Sequence, residues 1–347
     1  MRASSRAGDR AEIGKIAGVD VECVNAEDVN AEGVDVVVLG SLNMDLVAQV
    51  SRLPKPGETV LGTNFSTVSG GKGANQAVAA VRLGAQTAMI GRVGSDSFGK
   101  MLREGLIVDG VDVSAVSKSD RAFSGTALIS VSPQDNQIIV VSGANGEVGE
   151  AALSDLRRYV QTAKVLLLQF EIPISVVQSA AAIAKEADLI VIVDPAPARG
   201  PLPDKFCQNI SILTPNQTEA EVLTGVKVVD VESAFAAAQL LRRQGVETAI
   251  VKLGKLGSAC ATSEGCFAMP AYSVEAVDTV AAGDAFNGGL AAALCQYGPR
   301  WADGRDLSVL KSAISYASAV AAIAVTRPGA QPAMPTKADV DAFLAER

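Results

Sequence analysis

Two acidic residues and a run of small residues lie close together near the C-terminus, in the stretch VDTVAAGDAFNGG (277–289). Asp278 comes first, Ala281, Ala282 and Gly283 follow, and Asp284 precedes an apolar helical pattern. The first turn of a helix leaves backbone N–H groups unpaired, and the helix dipole makes them attractive to anions. A phosphate could therefore approach the backbone at 281–283, while Asp284 accepts a proton from an attacking hydroxyl. Taken alone, the stretch favours the simpler interpretation that Asp284 is only a helix N-cap.

A glycine-rich stretch, GGKGANQA (70–77), opens a second helical pattern. It lacks the GxxxxGK[ST] spacing of a Walker A loop. Lys72 and Asn75 are polar groups at the helix start and suit the hydroxyls of a polyol. The alternative is a tight turn into an amphipathic helix.

Polar residues also follow two buried-strand patterns. Asn43 and Asp45 come after VDVVVLG (34–40), and Glu171 follows LLLQF (166–170). In open α/β sheets the carboxyl ends of strands face the ligand crevice. Asn43 and Asp45 form either a turn or a clamp for sugar hydroxyls, and Glu171 is either solvated or directed at a ligand.

Two further motifs each allow two interpretations. TPNQTE (214–219) fits a capping box of Asn216 and Glu219, and Glu219 could also organise the waters of a Mg²⁺ ion. KLGKLG (252–257) is either a hairpin turn or a cradle for a nucleotide beside the Asp284 helix.

The elements that position these residues alternate regularly after Gly146, which predicts an α/β fold. We expect a doubly wound, mostly parallel central sheet with helices on both faces, whose βα loops share one edge. The predicted strands are 165–170, 189–193, 210–213 and 248–253. The predicted helices are 174–187, 217–223, 232–244, 283–296, 307–325 and 337–345.

The pattern differs at 46–69 and 124–142, where two hairpin-like pairs predict a small β-sheet over the crevice, as a lid. The α/β domain is expected to span 34–347. Residues 1–33 are predicted to be a mostly disordered extension. Its start faintly resembles a transit segment, but its acidic residues argue against targeting to a plastid or another organelle.

Composition excludes several classes of function. The 347 residues are 48% hydrophobic and 20% charged, with a net charge of −8, which argues against nucleic acid and anionic membranes as partners. No apolar run reaches the roughly 18 residues of a membrane span. The chain has no histidine, so acid–base chemistry must use carboxylates or lysine. Five scattered cysteines without a CxxC pair predict a reducing, cytoplasmic location.

Together these motifs resemble the ribokinase family of carbohydrate kinases, from Asp35 to Arg347. GGKGANQA and DTVAAGDAF (278–286) match the two signatures of the family. The motif order is closer to the ribokinases than to adenosine kinases or fructokinases. The resemblance implies transfer of phosphate from ATP to the 5-hydroxyl of D-ribose. The alternatives are a kinase for another small sugar or a nucleoside and, less expected, a non-catalytic sugar sensor.

The resemblance also implies residue roles. Asp284 would be the general base, and the backbone of Ala281, Ala282 and Gly283 the anion hole. The ribose ligands would be Asn43, Asp45, Gly71, Lys72, Asn75 and Glu171. ATP and Mg²⁺ would be bound by Asn216, Glu219, Lys252, Leu253, Gly254, Lys255, Leu256, Gly257 and Ser318. A K⁺ ion would be bound, largely through carbonyls, by Asp278, Val280, Ala324, Arg327, Gly329 and Ala333.

Three positions depart from the family pattern. Ala333 stands where a serine is often found in the cation loop, Ser318 occupies a position that is usually larger, and Lys255–Leu256 replaces a polar pair. Edge strands of the small sheet must be covered or paired. We therefore expect a homodimer formed through the lid.

Overall fold

The computed structural model describes residues 33–297 and 306–347. The predicted N-terminal extension lies, except for Gly33, outside the described residues. Thirteen strands are present in the described ranges, grouped in two sheets. They are β1 Val36–Leu39, β2 Asn43–Val50, β3 Gly62–Gly70, β4 Thr87–Gly94, β5 Val116–Ser119, β6 Gly125–Val131, β7 Asn136–Val141, β8 Val165–Gln169, β9 Ile190–Asp194, β10 Ile212–Leu213, β11 Thr248–Lys252, β12 Ser258–Thr262 and β13 Gly265–Met269.

Helices connect most of these strands. They are α1 Lys72–Arg82, α2 Ser97–Asp109, α3 Glu150–Tyr159, α4 Ile174–Glu186, α5 Asp204–Cys207, α6 Gln217–Thr224, α7 Val231–Arg243, α8 Ala282–Tyr297, α9 Leu307–Ala324 and α10 Lys337–Ala345. Short 3₁₀ turns lie at Gly143–Glu147, Gly254–Leu256 and Gln331–Ala333.

The main sheet has nine strands in the order β13-β12-β11-β10-β9-β8-β1-β4-β5. The strands from β11 through β10, β9, β8, β1 and β4 to β5 are paired in parallel. Strands β12 and β13 add an antiparallel edge next to β11. Helices cover both faces, so the predicted fold class is confirmed. Side chains of a strand alternate between faces. Val37 and Leu39 accordingly join one core cluster, while Val36 and Val38 join the other. Burial on both faces explains the continuous apolar run.

The small sheet has the order β3-β2-β6-β7. Its two outer pairings are antiparallel, whereas β2 and β6 run in parallel. Asn43 is the first residue of β2 and pairs with Gly70 and Gly125. The strand that was expected to end before Asn43 therefore continues, after a short gap, into the small sheet.

Some elements were not predicted. Helix α3 buries Ala152, Leu153, Leu156 and Tyr159 at helical spacing, and its short length weakened that signal. β5 is an edge strand whose sequence, VSKS, lacks an apolar run. The hairpin-turn interpretation of 252–257 is confirmed, because a 3₁₀ turn there leads directly into the antiparallel pair β12 and β13.

Helix α9 is long and apolar enough to cross a membrane by length and composition, with a mean hydropathy of 1.5. The expectation that no segment of this kind occurs was therefore wrong. The helix packs against α8, and 56% of the segment is buried inside the protein. This burial is the property of a core helix, which satisfies the same test.

Candidate active site

The polar residues gather where the strands of the main sheet end. Glu171 follows β8, Asp194 is the last residue of β9, and Lys252 is the last residue of β11. Helix α1 begins at Lys72 and α8 begins two residues before Asp284. The carboxyl edge of a parallel sheet thus brings together segments that are far apart in the sequence.

Asp284 lies at the centre of this edge and is 4% exposed. Its Oδ2 accepts a hydrogen bond from Nδ2 of Asn75 at 2.9 Å, and its Oδ1 accepts one from Nε2 of Gln76 at 3.0 Å. Burial raises the pKa of Asp284 to about 6, although Lys72 opposes the shift. A carboxyl group with this pKa is ionised at neutral pH and can accept a proton.

The start of α1 is held tightly against the chain that follows β1. Gly71, the N-cap of α1, has a φ of 89°, and a Cβ there would lie 2.7 Å from the backbone nitrogen of Asn43. Glycine is therefore required on both conformational and steric grounds. This close approach places Asn75 and Lys72 beside the first residues of β2.

Lys72 is surrounded by carboxylates. Burial lowers the pKa of its ammonium, but Asp284, Asp194 and Glu171 together raise it above its ordinary value. Asn75 is buried, and its Oδ1 has no hydrogen-bond partner among the described residues. An unpaired buried acceptor is costly unless a ligand satisfies it. Asn75 thus has a free acceptor beside the carboxylate of Asp284.

Glu171 connects the loop after β1 to the start of α1. Its Oε2 accepts hydrogen bonds from the Ser41 hydroxyl at 2.5 Å, from the Lys72 amide at 3.2 Å and from Nδ2 of Asn43 at 3.5 Å. The contact orients Asn43 and fixes the Gly71–Lys72 turn relative to β8. Asn43, Lys72 and Glu171, which were predicted separately, therefore share one cluster.

Asn145 holds the other side of Asn43. Its Nδ2 donates to Oδ1 of Asn43 at 2.7 Å and to the carbonyl of Leu42 at 3.0 Å, while its Oδ1 accepts from the Leu42 amide. The side chain is 1% exposed. Asn145 thus fixes the position of Asn43 without relying on a ligand.

Asp45 is half-buried on β2, on the same side of the strand as Asn43. A Cβ at Gly70 would collide with its carboxylate, so the small sheet and the glycine-rich turn meet at Asp45. Burial, together with the charges of Glu171 and Asp284, raises the pKa of Asp45 to about 7. This carboxyl group is therefore near half-ionised at neutral pH.

The turn before Asp284, at Ala281 to Gly283, is half-buried and has an unusual backbone conformation. Ala281 has a φ of 58°, in a region that residues with a side chain rarely adopt, and α8 begins at Ala282. A Cβ at Gly283 would lie 3.1 Å from Nζ of Lys252, which also pairs with Asp194 at 3.2 Å. The ammonium group of Lys252 therefore lies beside the N-terminus of α8.

The predicted nucleotide residues are only partly brought together. Leu253, Gly254, Lys255, Leu256 and Gly257 form the turn after β11. The backbone of Asn216 forms an isolated β-bridge with Lys252. Its side chain caps α6 in a capping box with Glu219. Burial and Asp194 raise the pKa of Glu219, while Lys252 lowers it. Ser318 instead donates to the Ile314 carbonyl of its own helix, and no described contact links it to the turn.

The two segments of the predicted cation site are in contact. Asp278 accepts hydrogen bonds from the Val280 amide at 3.0 Å and from the Gly329 amide at 2.9 Å. Its own amide donates to the carbonyl of Val325. Ala324 and Arg327 are joined by a backbone hydrogen bond at the end of α9, and Ala333 is buried in the last 3₁₀ turn.

Sequence reasoning missed several residues of this site, namely Ser41, Gln76, Asn145 and Asp194. Asp194 follows the apolar run of β9, so the rule that identified Glu171 would also have identified it. Gln76 lies next to Asn75 in the glycine-rich motif. Asn145 had no comparable signal, because its partners are about a hundred residues away in the sequence.

Comparisons with known proteins agree with this geometry. A family model described as pfkB family carbohydrate kinase matches residues 34–337. Ribokinase from Haemophilus influenzae is 40% identical over 308 residues, covering 88% of this chain and 97% of that protein. Ribokinase from Bacillus subtilis is 37% identical, covering 89% and 99%. The solved structure of Arabidopsis thaliana ribokinase complexed with ribose and ATP has a TM-score of 0.80 at 33% identity, covering 90% and 99%.

Proposed function

Because this chain belongs to the pfkB family of carbohydrate kinases, we propose that it transfers the γ-phosphoryl group of ATP to the 5-hydroxyl of D-ribose. The products are ribose 5-phosphate and ADP. The observation that carries this proposal is Asp284, a buried carboxylate placed between a cluster of polar side chains and the half-buried turn at 281–283. The relatives named above support ribose and ATP as the substrates.

The polar cluster binds the sugar. Asn43, Asp45, Asn75 and Glu171 offer amide donors and carboxylate acceptors, and Oδ1 of Asn75 has no partner within residues 33–297 and 306–347. A pentose has a hydroxyl on nearly every carbon, so it can satisfy these groups. The purine base of a nucleoside carries no hydroxyl groups, so it could not satisfy these donors and acceptors in the same way. Sites built to bind hydroxyls discriminate strongly against analogues that lack them.

Asp284 acts as the general base. It accepts the proton of the 5-hydroxyl as the oxygen attacks the γ-phosphorus, and the bond from that phosphorus to the bridging β-oxygen breaks. A positioned base of this kind contributes ~10²–10⁴-fold. Asn75 and Gln76 hold both carboxylate oxygens and so fix the orientation of the base.

The turn at 281–283 and Lys252 stabilise the charge on the transferring group. Phosphoryl transfer depends mainly on positioning and electrostatic stabilisation. The backbone amides at the start of α8 would face the transferring phosphate. Lys252 supplies a cation that Asp194 holds near Gly283.

The residues fit Mg²⁺ bound through phosphates. Glu219 is a single carboxylate near Lys252 and Asp194, and the described ranges contain no cluster of three or more acidic, cysteine or histidine residues suited to a metal. Mg²⁺ commonly takes one or two carboxylates with waters and substrate phosphates. When bound, it would neutralise phosphate charge. Glu219 would hold it, and Asn216 would orient Glu219 through the capping box.

The residues also fit a K⁺ ion. Asp278 joins the turn before α8 to the loop after α9, so a cation between them could be bound by both segments. The cation would be held by Asp278, Val280, Ala324, Arg327 and Gly329, with the buried Ala333 beside them. It would fix the turn whose amides face the phosphate.

The exposed apolar side chains of the small sheet support a homodimer. Leu128 and Ile139 lie opposite each other on neighbouring strands and are 44% and 62% exposed. Ile138, Val140 and Val141 on the same edge strand are each more than half exposed. Such apolar patches mark interaction sites. A second copy, packed lid against lid, would cover this edge.

A cytoplasmic location is part of the proposal. Cys207, Cys260, Cys266 and Cys295 are all free thiols in the structure, as a reducing compartment requires. A fluorescent fusion of the full chain tests this location. Concentration in a plastid or another organelle would contradict it.

The substrate is tested by an ATP-consumption screen of D-ribose, 2-deoxyribose, fructose and adenosine. Ribose should give the highest kcat/KM. A higher value for adenosine or fructose would show that the chain is a kinase for another substrate. Sugar binding without turnover of any of the four would favour a sensor.

A further inference from the structure

Gln76 joins the proposed base to a second carboxylate. The side chain is fully buried on α1, next to the proposed sugar ligand Asn75. Its Nε2 donates to Oδ1 of Asp284 at 3.0 Å and to Oδ2 of Asp194 at 3.2 Å. Both hydrogens of one amide group are therefore used, each on a different carboxylate.

Gln169 determines which end of the Gln76 amide faces these carboxylates. Nε2 of Gln169 donates to Oε1 of Gln76 at 2.7 Å. Rotation of the Gln76 amide would bring its oxygen against two carboxylates and its nitrogen against a donor. Gln169 is itself fully buried and packed against Gly40, where a Cβ would collide with its amide oxygen.

The bridge continues to the phosphate side of the site. Oδ1 of Asp194 accepts from Nζ of Lys252 at 3.2 Å, and Lys252 lies beside Gly283. A chain of contacts thus runs from Asp284 through Gln76 and Asp194 to Lys252. One end faces the proposed sugar site, and the other faces the turn proposed to bind phosphate.

We propose that Gln76, held by Gln169, is a positioning residue that fixes the carboxylate of Asp284 and keeps it apart from Asp194. The inference rests on the proposed role of Asp284 as the base. The amide of Gln76 is occupied by Asp284, Asp194 and Gln169, so Gln76 acts through Asp284 and not by binding the sugar. Its neutral amide joins two carboxylates that would otherwise repel each other in a buried site.

This arrangement also controls the ionisation of Asp284. Lys72 from α1, Asp194 from β9, Asp45 from the small sheet and Lys252 from β11 are the charged groups around it. A hydrogen bond to the ionised form lowers a pKa, and its loss raises it. Removing the Gln76 donor should therefore raise the pH at which Asp284 becomes ionised.

The test is Gln76→Met, which keeps the length of the side chain and removes its donor. Misplacement of a catalytic group by ~1 Å costs about a hundredfold, so kcat should fall by about that factor. The acid limb of kcat against pH should move up by about one unit. Ribose affinity, measured by calorimetry, should change little, because Asn75 and the other sugar ligands remain.

Gln244→Met is the matched control. Gln244 is another glutamine with a buried amide oxygen, but it lies just before β11, at the amino edge of the sheet. This variant should keep the wild-type kcat and acid limb. Gln169→Met should shift both quantities in the same direction as Gln76→Met but less, because Gln76 keeps its donor and loses only its orientation.

A wild-type kcat with an unchanged acid limb in Gln76→Met would overturn the inference, as would an effect confined to KM. If Gln76→Met does not fold, the acid limb of Gln169→Met decides by the same criterion. The profiles are recorded with the best sugar from the substrate screen, so an error in the proposed sugar does not affect the outcome.

Discussion

Asn75 donates a hydrogen bond from Nδ2 to Oδ2 of Asp284 over 2.9 Å, although the two residues are 209 positions apart. The contact joins the start of α1 to the start of α8. It also leaves Oδ1 of Asn75 beside the carboxylate without a partner in the part of the chain that the structure describes. One side chain can therefore orient the proposed base and receive a hydroxyl of the substrate at the same time.

Asp284→Asn should reduce kcat by at least a hundredfold, because the variant removes the proton acceptor, and a general base contributes ~10²–10⁴-fold. Ribose binding should persist, since Asn43, Asp45 and Glu171 are unchanged. Steady-state kinetics and calorimetry measure the two effects. More than about a tenth of the wild-type kcat would contradict the role of Asp284 as the base.

Activity should fall as the pH drops through about 6. The pKa of Asp284 is raised to about 6 by burial, and only its ionised form accepts a proton. Below that pH kcat should decline about tenfold per unit. A pH profile at saturating ribose tests this, and Asp45→Asn serves as the control for the neighbouring carboxyl group. A kcat that stays flat down to pH 5 in wild type would exclude Asp284 as the titrating base.

Asn145→Ala should raise KM for ribose much more than it lowers kcat. Asn145 fixes Asn43 through a buried hydrogen bond, and leaving a buried partner unpaired costs about 1–3 kcal/mol. That cost corresponds to roughly a 5- to 150-fold rise in KM if it is expressed in sugar binding. Kinetics over a range of ribose concentrations provide the measurement, with a melting curve to establish that the variant folds. An unchanged KM would show that Asn145 only stabilises the fold.

Replacing Na⁺ with K⁺ at constant ionic strength should increase activity, and Asp278→Ala should remove most of the difference. Asp278 connects the turn proposed to bind phosphate to the loop at Gly329. A cage of carbonyls sized for K⁺ suits the smaller, more strongly hydrated Na⁺ poorly. The protein must first be freed of carried-over K⁺. Equal rates in the two salts would leave Asp278 as a structural residue of the turn.

Ile139→Asp should give a monomer. The substitution places a charge in the exposed apolar part of the small sheet, opposite Leu128, and a charge at the centre of an interface is costly to bury. Light scattering at micromolar concentration distinguishes the two states, with Lys118→Asp on the exposed surface of the main sheet as the matched control. A wild-type monomer at that concentration would reject the dimer.

The sequence by itself determined the fold class and most members of the site. Continuous apolar runs such as that of β1 are explained only by strands buried on both faces, and a parallel sheet is the structure that buries them. Because the carboxyl ends of such strands share one edge, the positions of Asn43, Glu171 and Asp284 followed from local pattern. Asn216 and Glu219 were visible for the same reason, since a capping box is formed within four consecutive residues.

Only the tertiary structure decided how these residues act on one another. The bridge from Gln76 to Asp194, the clamp of Asn145 on Asn43 and the pair of Asp194 with Lys252 each join elements that are distant in the chain. The hydrophobic periodicity of the sequence does not indicate such pairs. The pKa values of Asp45 and Asp284 likewise depend on burial and on neighbouring charge. Local sequence specifies the backbone of each segment, whereas the electrostatics of the site arise from the packing of one segment against another.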